Sequence, residues 1–211
     1  MKAPPILPQR STRVVADVGA LPTVTFGSGS MAWWGTIGFA VIEGLALVIC
    51  AASYFYLRRN FVAWPPWGTP RPSLVVPGIG LLLMAVSIGP MMRACAHARR
   101  LALAPMRAWL LAGLVVKLAI LVVRWYEFKA LHTRWNSDAY GSITWITVGF
   151  HATLLFMDAA EDAGLLLILF GSDKVWERHF ADVTDDAVYW YITIAVWVPL
   201  FAMIYLLPWW T

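Results

Sequence analysis

The sequence predicts an all-α, polytopic membrane protein with five transmembrane helices, and three observations lead there. Hydrophobic residues make up 60% of the chain and charged residues only 13%, with a mean hydropathy of +0.67, whereas soluble domains carry about a quarter charged residues. The apolar residues are gathered into five segments, near 32–57, 74–92, 106–127, 142–170 and 187–208. Each approaches the ~20 residues a helix needs to cross a hydrocarbon core. Aromatic pairs bracket the first and last segments, as rings that prefer the lipid headgroup level do.

Residues 1–30 hold scattered prolines and polar groups, without the apolar core and small-residue cleavage site of a signal peptide. They read as a retained cytoplasmic tail ahead of a membrane domain at 31–211. The first span, "MAWWGTIGFAVIEGLALVICAASYFYLRRN", runs from Trp33 and Trp34 to Tyr54, Phe55 and Tyr56, about 32 Å of helix. Glu43 falls at mid-depth and is expected to donate a hydrogen bond to a neighbouring helix. The proline-rich "RRNFVAWPPWGTPRPS" cannot continue a helix and is predicted as an outer loop.

Pro77, Pro90 and several glycines in the second span predict a kinked helix packed closely on a neighbour. "RACAHARR" reads as a solvated basic loop, and Cys50 and Cys95 as free thiols without zinc-site spacing. The stretch "DKVWERHFADVTDD" is predicted as an acidic loop, with Asp185 and Asp186 capping the last span. Trp190 and Tyr191 would then form one belt of that span, and Trp209 and Trp210 the other. The tail and the second and fourth loops hold nine Lys and Arg, against five on the other side. This places the N-terminus in the cytoplasm and the C-terminus in the periplasm.

Six ionisable residues fall within the third and fourth spans: Lys117 and Arg124, then His151, Asp158, Glu161 and Asp162. Lys117 and Arg124 are two turns apart on one helical face, and His151, Asp158 and Asp162 share a face at steps of seven and four. If the two spans form an antiparallel hairpin about Asn136, Lys117 lies opposite position 156 and Arg124 opposite position 149. Lys117 can then reach Asp158, and Arg124 can reach His151. A charge at the bilayer centre costs ~2.5–3.5 kcal/mol on insertion scales, so structural pairing is the economical reading. A proton pathway would need a connected entry and exit besides.

Three stretches resemble the cytochrome c oxidase subunit III family of the haem-copper oxidases. The first joins Trp33, Trp34 and Gly35 to the mid-helix Glu43 and the loop Trp64, Pro65 and Pro66; the second is "RWYEF", with Glu127 after Tyr126. The third is "AYGSITWITVGFH", with Tyr140, Gly141 and Ser142 and then Gly149, Phe150 and His151. The chain departs from the family where a second histidine would fall, at Leu154, and where Asp158, Glu161 and Asp162 replace apolar residues. The family's Trp-His-Phe-x-Asp would fall on Trp190 to Ile194, while a similar string, "HFADV", occurs earlier at His179 to Val183.

The resemblance implies a five-helix bacterial member with a lipid-filled cleft, in the plasma membrane, beside oxidase subunits I and II. Haem and copper would sit in those partners and none in this chain; bound phospholipids are implied, and Glu43 matches a glutamate that reacts with carbodiimides. Such a subunit stabilises the catalytic core of an enzyme of aerobic respiration and supports oxygen and proton access to it. A subunit III-like accessory protein of a nitric oxide reductase is the nearest alternative. A small ion transporter or channel is a second, against which stands the lack of an inverted repeat. Lys and Arg are not gathered on one polar face, which argues against nucleic acid despite a pI near 9.3.

Overall fold

The computed structural model describes residues 24–171 and 175–210. A short 3₁₀ turn at Gly27–Gly29 leads into α1 (Met31–Arg59), followed by α2 (Val75–Ala98), α3 (Leu103–Ala130), α4 (Ala139–Gly171) and α5 (Arg178–Phe201). The last helix passes through a π-helical turn, Ala202–Leu206, into α6 (Leu207–Trp210). The described residues contain no strand. Residues 1–23 of the predicted tail lie outside the described residues.

Local chemistry sets the boundaries. Ser30 caps α1, its hydroxyl accepting from the Ala32 N–H at 3.2 Å. Asn60 ends the helix, its side-chain amide donating to the Tyr56 carbonyl at 2.7 Å. Pro77 sits in the first turn of α2, where a missing N–H is harmless. Pro90 lies inside that helix, and opposite it α3 places Gly113, where a Cβ would stand 2.9 Å from Met91 Sδ. A side chain there would displace the Met91 thioether. At the start of α4 a Cβ on Gly141 would collide with the Arg134 carbonyl oxygen, so the turn before α4 requires glycine at that point of the Tyr-Gly-Ser motif.

The helices run alternately up and down. Ser73 N–H donates to the Ala130 carbonyl and Trp209 Nε1–H to the Pro72 carbonyl, bringing the starts of α2 and the ends of α3 and α6 together. Arg107 donates to the Leu169 carbonyl at the opposite end. In the Trp-Pro-Pro loop, Trp64 turns inward while Val62 and Trp67 stay exposed. Trp64 is buried edge-on between Tyr54 and Tyr140, at 5.3 and 5.1 Å between ring centres.

The polarity of the bundle is that of a protein bathed in lipid. Val41, Ile42, Leu45, Val48 and Ile49 of α1 face outward, as do Val115, Leu118 and Val122 of α3, while Lys117, Arg124, Asp158 and Asp162 are buried. A soluble protein would not expose so continuous an apolar surface. Four helices, α1, α2, α3 and the run Arg178–Trp210, are long and apolar enough to cross a membrane. The longest helix, α4, also has the length, but His151, Asp158, Glu161 and Asp162 interrupt its apolar run.

Three expectations about boundaries give way. Arg93–Ala98 of "RACAHARR" is the last turn and a half of α2, not loop. The acidic stretch before the last span is helical from Arg178, so Asp185 and Asp186 lie two turns inside α5 and cap nothing. "HFADV" and the buried His179 therefore fall in the first turns of α5, ahead of residues predicted to be lipid-level anchors. Trp190 is wholly buried and forms no belt, as is Tyr54 at the end of α1. Asp186 reads as loop in one dimension because its partner, Lys117, is a charge on another helix.

Candidate functional site

The most unusual chemistry lies between α3, α4 and α5. Lys117 Nζ stands 2.5 Å from Asp158 Oδ2, 2.7 Å from Asp162 Oδ2 and 3.7 Å from Asp186 Oδ2, and all four side chains are at most 1% exposed. Asp158 and Asp162 are one helical turn apart on α4, which puts both carboxylates on one side of the ammonium. Asp186 approaches from α5. Trp190, one turn further along α5, lays its ring 4.7 Å from the ammonium and donates its indole N–H to Ser87 Oγ at 2.9 Å. The chain Lys117–Trp190–Ser87 thus ties α3, α5 and α2 together through one charge.

A second network lies two turns along α3. Arg124 Nη1 pairs with Glu127 Oε2 at 2.6 Å, and its Nη2 donates to His151 Nδ1 at 3.1 Å. Arginine has only donors, so Nδ1 must accept, and the ring hydrogen falls on Nε2, which donates to the Thr193 carbonyl at 3.1 Å. Trp197 of α5 closes the group: the guanidinium lies 3.9 Å above its ring and the imidazole stacks on it at 4.3 Å. Tyr205, turned inward by the π-helical turn, is buried beside Glu127.

Glu43 is 9% exposed and is engaged by α5: the Tyr189 hydroxyl donates to its Oε2 at 2.5 Å. The carboxylate is thus the acceptor, the reverse of the expected polarity. Phe39, one turn before it, stacks on Tyr189 at 6.1 Å. Glu161 is exposed and joins neither network; with Asp158, Asp186 and Tyr189 it lines a cavity of about 110 Å³ opening between α1, α4 and α5.

The motif residues divide into structural roles. Trp64 and Tyr140 are core packing, and Gly141 is the close approach already described. Trp34 is exposed near the start of α1, its indole N–H donating to the Ser28 carbonyl at 3.0 Å, with Trp33 edge-on against it and Gly35 unencumbered. Ser142 donates to the Trp135 carbonyl, Gly149 lets Phe128 approach, Phe150 is half-buried, and Pro65 and Pro66 stay half-buried in the loop.

Asp186, Tyr189, Trp190, Thr193 and Trp197 are the contributors that the sequence reading passes over. They recur at steps of three, one, three and four, a single face of a helix. All but Asp186 lie inside the predicted span 187–208, and Asp186 joins their face once α5 is begun at Arg178.

Comparison with known proteins finds similar chains of one name. A protein of Synechocystis named cytochrome c oxidase subunit 3 is 24% identical over 216 aligned residues, 96% of this chain and 89% of that protein. The chain is similar to cytochrome c oxidase subunit 3 over nearly its whole length. The subunit 3 of Corynebacterium diphtheriae is 29% identical and the probable subunit 3 of Mycobacterium tuberculosis 27% identical. Each of these covers 81% of this chain and 85% of the relative. No protein-family profile matches the chain. The likeness to subunit 3 includes the stretch holding Glu43, both ends of the α3–α4 hairpin and α5.

Proposed function

We propose that the chain is the non-redox subunit III of a bacterial haem-copper terminal oxidase of the cytochrome c oxidase type, spanning the plasma membrane five times. The observation that carries this reading is similarity to subunit 3 proteins along the bundle as a whole, not at an isolated motif. The chemistry agrees. The ion pairs face inward and join helices, as suits a subunit whose task is to hold shape beside a catalytic partner. His151 has both ring nitrogens engaged, by Arg124 and the Thr193 carbonyl, so it has no lone pair to offer an iron. Haem and copper belong, on this reading, to subunits I and II.

Lipids would complete the subunit. An apolar cavity of about 500 Å³ between Leu47, Ala51 and Phe55 of α1 and Pro199, Met203 and Leu206 of the last helix supports the expected lipid-filled cleft. For orientation, the described Lys and Arg are shared evenly between the two ends, and the excess comes from Lys2, Arg10, Arg13 and Lys174. Those four favour a cytoplasmic N-terminus and a periplasmic C-terminus.

The test is purification of tagged chain from its native membrane in mild detergent. The expected result is a complex containing haem and copper that consumes oxygen. A haem-containing complex that reduces nitric oxide and not oxygen would move the chain to the reductases, and a chain free of haem proteins would overturn the assignment.

A further inference from the structure

A basic, aromatic pocket lies at the α3–α4 turn, and its lining shares no residue with the α1–α5 cleft or with the Lys117 and Arg124 networks. We propose that it is a specific site for one phospholipid whose headgroup carries net negative charge and hydroxyl groups, of the phosphatidylglycerol class, in the outer leaflet. The pocket measures about 760 Å³ and is lined by Trp125, Phe128 and Lys129 of α3, His132 and Arg134 of the turn, and Trp145 of α4. It rests on the membrane reading of the helices but not on the oxidase assignment.

Its two ends have different chemistry. Phe128, two residues before the end of α3, and Trp145, six residues after the start of α4, pack at 4.8 Å, and Trp125 is 70% exposed beside them, a wall suited to glycerol and the first acyl carbons. Lys129 and Arg134 are exposed at the water end, one from the last turn of α3 and one from the connection. The carboxylate in the lining, Asp138, accepts from the Gly141 N–H at 2.7 Å as the cap of α4, which commits it to the backbone. The cations are therefore the groups left to meet a phosphate.

The turn is also held in shape before any ligand arrives. Thr133 and Ser137 hydroxyls meet at 2.8 Å, Ser137 Oγ donates to the Arg134 carbonyl at 2.9 Å, and the Trp145 indole N–H donates to the Thr133 carbonyl at 2.8 Å. Such preorganisation lowers the ordering cost of binding. His132 donates from Nδ1 to the Arg71 carbonyl at 3.0 Å, which leaves Nε2 as an acceptor facing the pocket. A headgroup with hydroxyls can donate to it. A headgroup ammonium would instead meet Lys129 and Arg134, so zwitterionic phosphatidylethanolamine is disfavoured.

The experiment is native mass spectrometry of the full-length protein in detergent, titrated with phosphatidylglycerol or phosphatidylethanolamine of identical acyl chains, and with inorganic phosphate. The expected result is a preference of about thirtyfold for phosphatidylglycerol, the scale that two cations near a headgroup supply, reduced to parity in Lys129→Gln/Arg134→Gln. Arg58→Gln/Arg59→Gln, at the same end of the bundle, should leave it intact. A photoactivatable phosphatidylglycerol should label the segment 125–145. A preference that survives Lys129→Gln/Arg134→Gln, or labelling confined to the α1–α5 cleft, would overturn the site. Displacement of the lipid by millimolar inorganic phosphate would show an anion site and not a lipid one. The readout needs no oxidase activity, so it stands or falls apart from the proposed function.

Discussion

Two polar clusters share helices α3, α4 and α5, seven residues apart along α3, and they handle buried charge in opposite ways. At Lys117 one compact ammonium faces three carboxylates from two helices, and the side chains of Asp162 and Asp186 also share a hydrogen bond with each other. At Arg124 a planar guanidinium has one carboxylate, one imidazole and one indole face, each in its own direction. The first cluster is held by charge and is short of cation. The second is held by geometry and is balanced. A point charge such as an ammonium tolerates partners arriving from several directions, whereas a guanidinium rewards only partners that match its fork.

The comparison is open to direct attack, most strongly at Lys117. Lys117→Met should sharply reduce the steady-state amount of protein in the membrane, because losing one partner of a buried ion pair costs about 3–5 kcal/mol and here three carboxylates are stranded. Immunoblots of isolated membranes would measure it, and an unchanged level would remove the cluster's structural importance. Lys117→Met combined with Asp158→Leu should recover only part of the loss, since Asp162 and Asp186 stay unmatched.

Arg124→Lys comes next. The charge is kept, but an ammonium cannot bridge Glu127, His151 and the Trp197 face together, so a loss of about 2 kcal/mol in thermal unfolding is expected, the scale of a charge-assisted hydrogen bond. If Arg124→Lys is silent, the second network is held by charge just as the first is, and the contrast disappears.

Asp186→Asn sharpens the contrast through sign. Replacing the most distant of the three acids relieves the surplus negative charge, so the variant should be as stable as the parent or more so by up to about 1 kcal/mol. Asp158→Asn removes the closest counter-charge and should destabilise. Thermal melts of the two variants side by side would decide, and equal losses would mean that the three acids are equivalent partners.

The smallest effect is expected at Glu43, whose contact is a single hydrogen bond to Tyr189. Glu43→Gln retains size and polarity and should change stability by less than about 1 kcal/mol, with oxygen consumption by the purified complex preserved. Glu43→Ala leaves a gap and an unpaired hydroxyl and should do more harm. Loss of oxygen consumption in a fully assembled, haem-replete Glu43→Gln complex would make this carboxyl a proton carrier.

Some of this was legible in one dimension and some was not. Hairpin register alone is enough to place Lys117 at the depth of Asp158 and Arg124 at the depth of His151, because two antiparallel helices joined by a short turn leave little freedom in depth. The same arithmetic gives nothing about α5, whose start at Arg178 lies nine residues before the predicted span and which contributes Asp186, Tyr189, Trp190 and Trp197. Nor does it reveal that Arg124 turns to Glu127 on its own helix, since an i, i+3 pair and a lipid-level Tyr-Glu look alike as strings.

Sequence by itself determined the helical class, the apolar lengths and the likeness to subunit 3, because these depend on composition, periodicity and residue order along one chain. Tertiary structure alone decided where α5 begins and which acids are inside. Residues 178–186 are polar enough to pass for a loop until Asp186 is seen 3.7 Å from the ammonium of Lys117, and only the packing of the bundle as a whole brings the two together. A charge reads as surface when its neighbours in sequence are counted, and as interior when its neighbours in space are, because what burial demands of it is a partner of opposite sign and not an apolar flank.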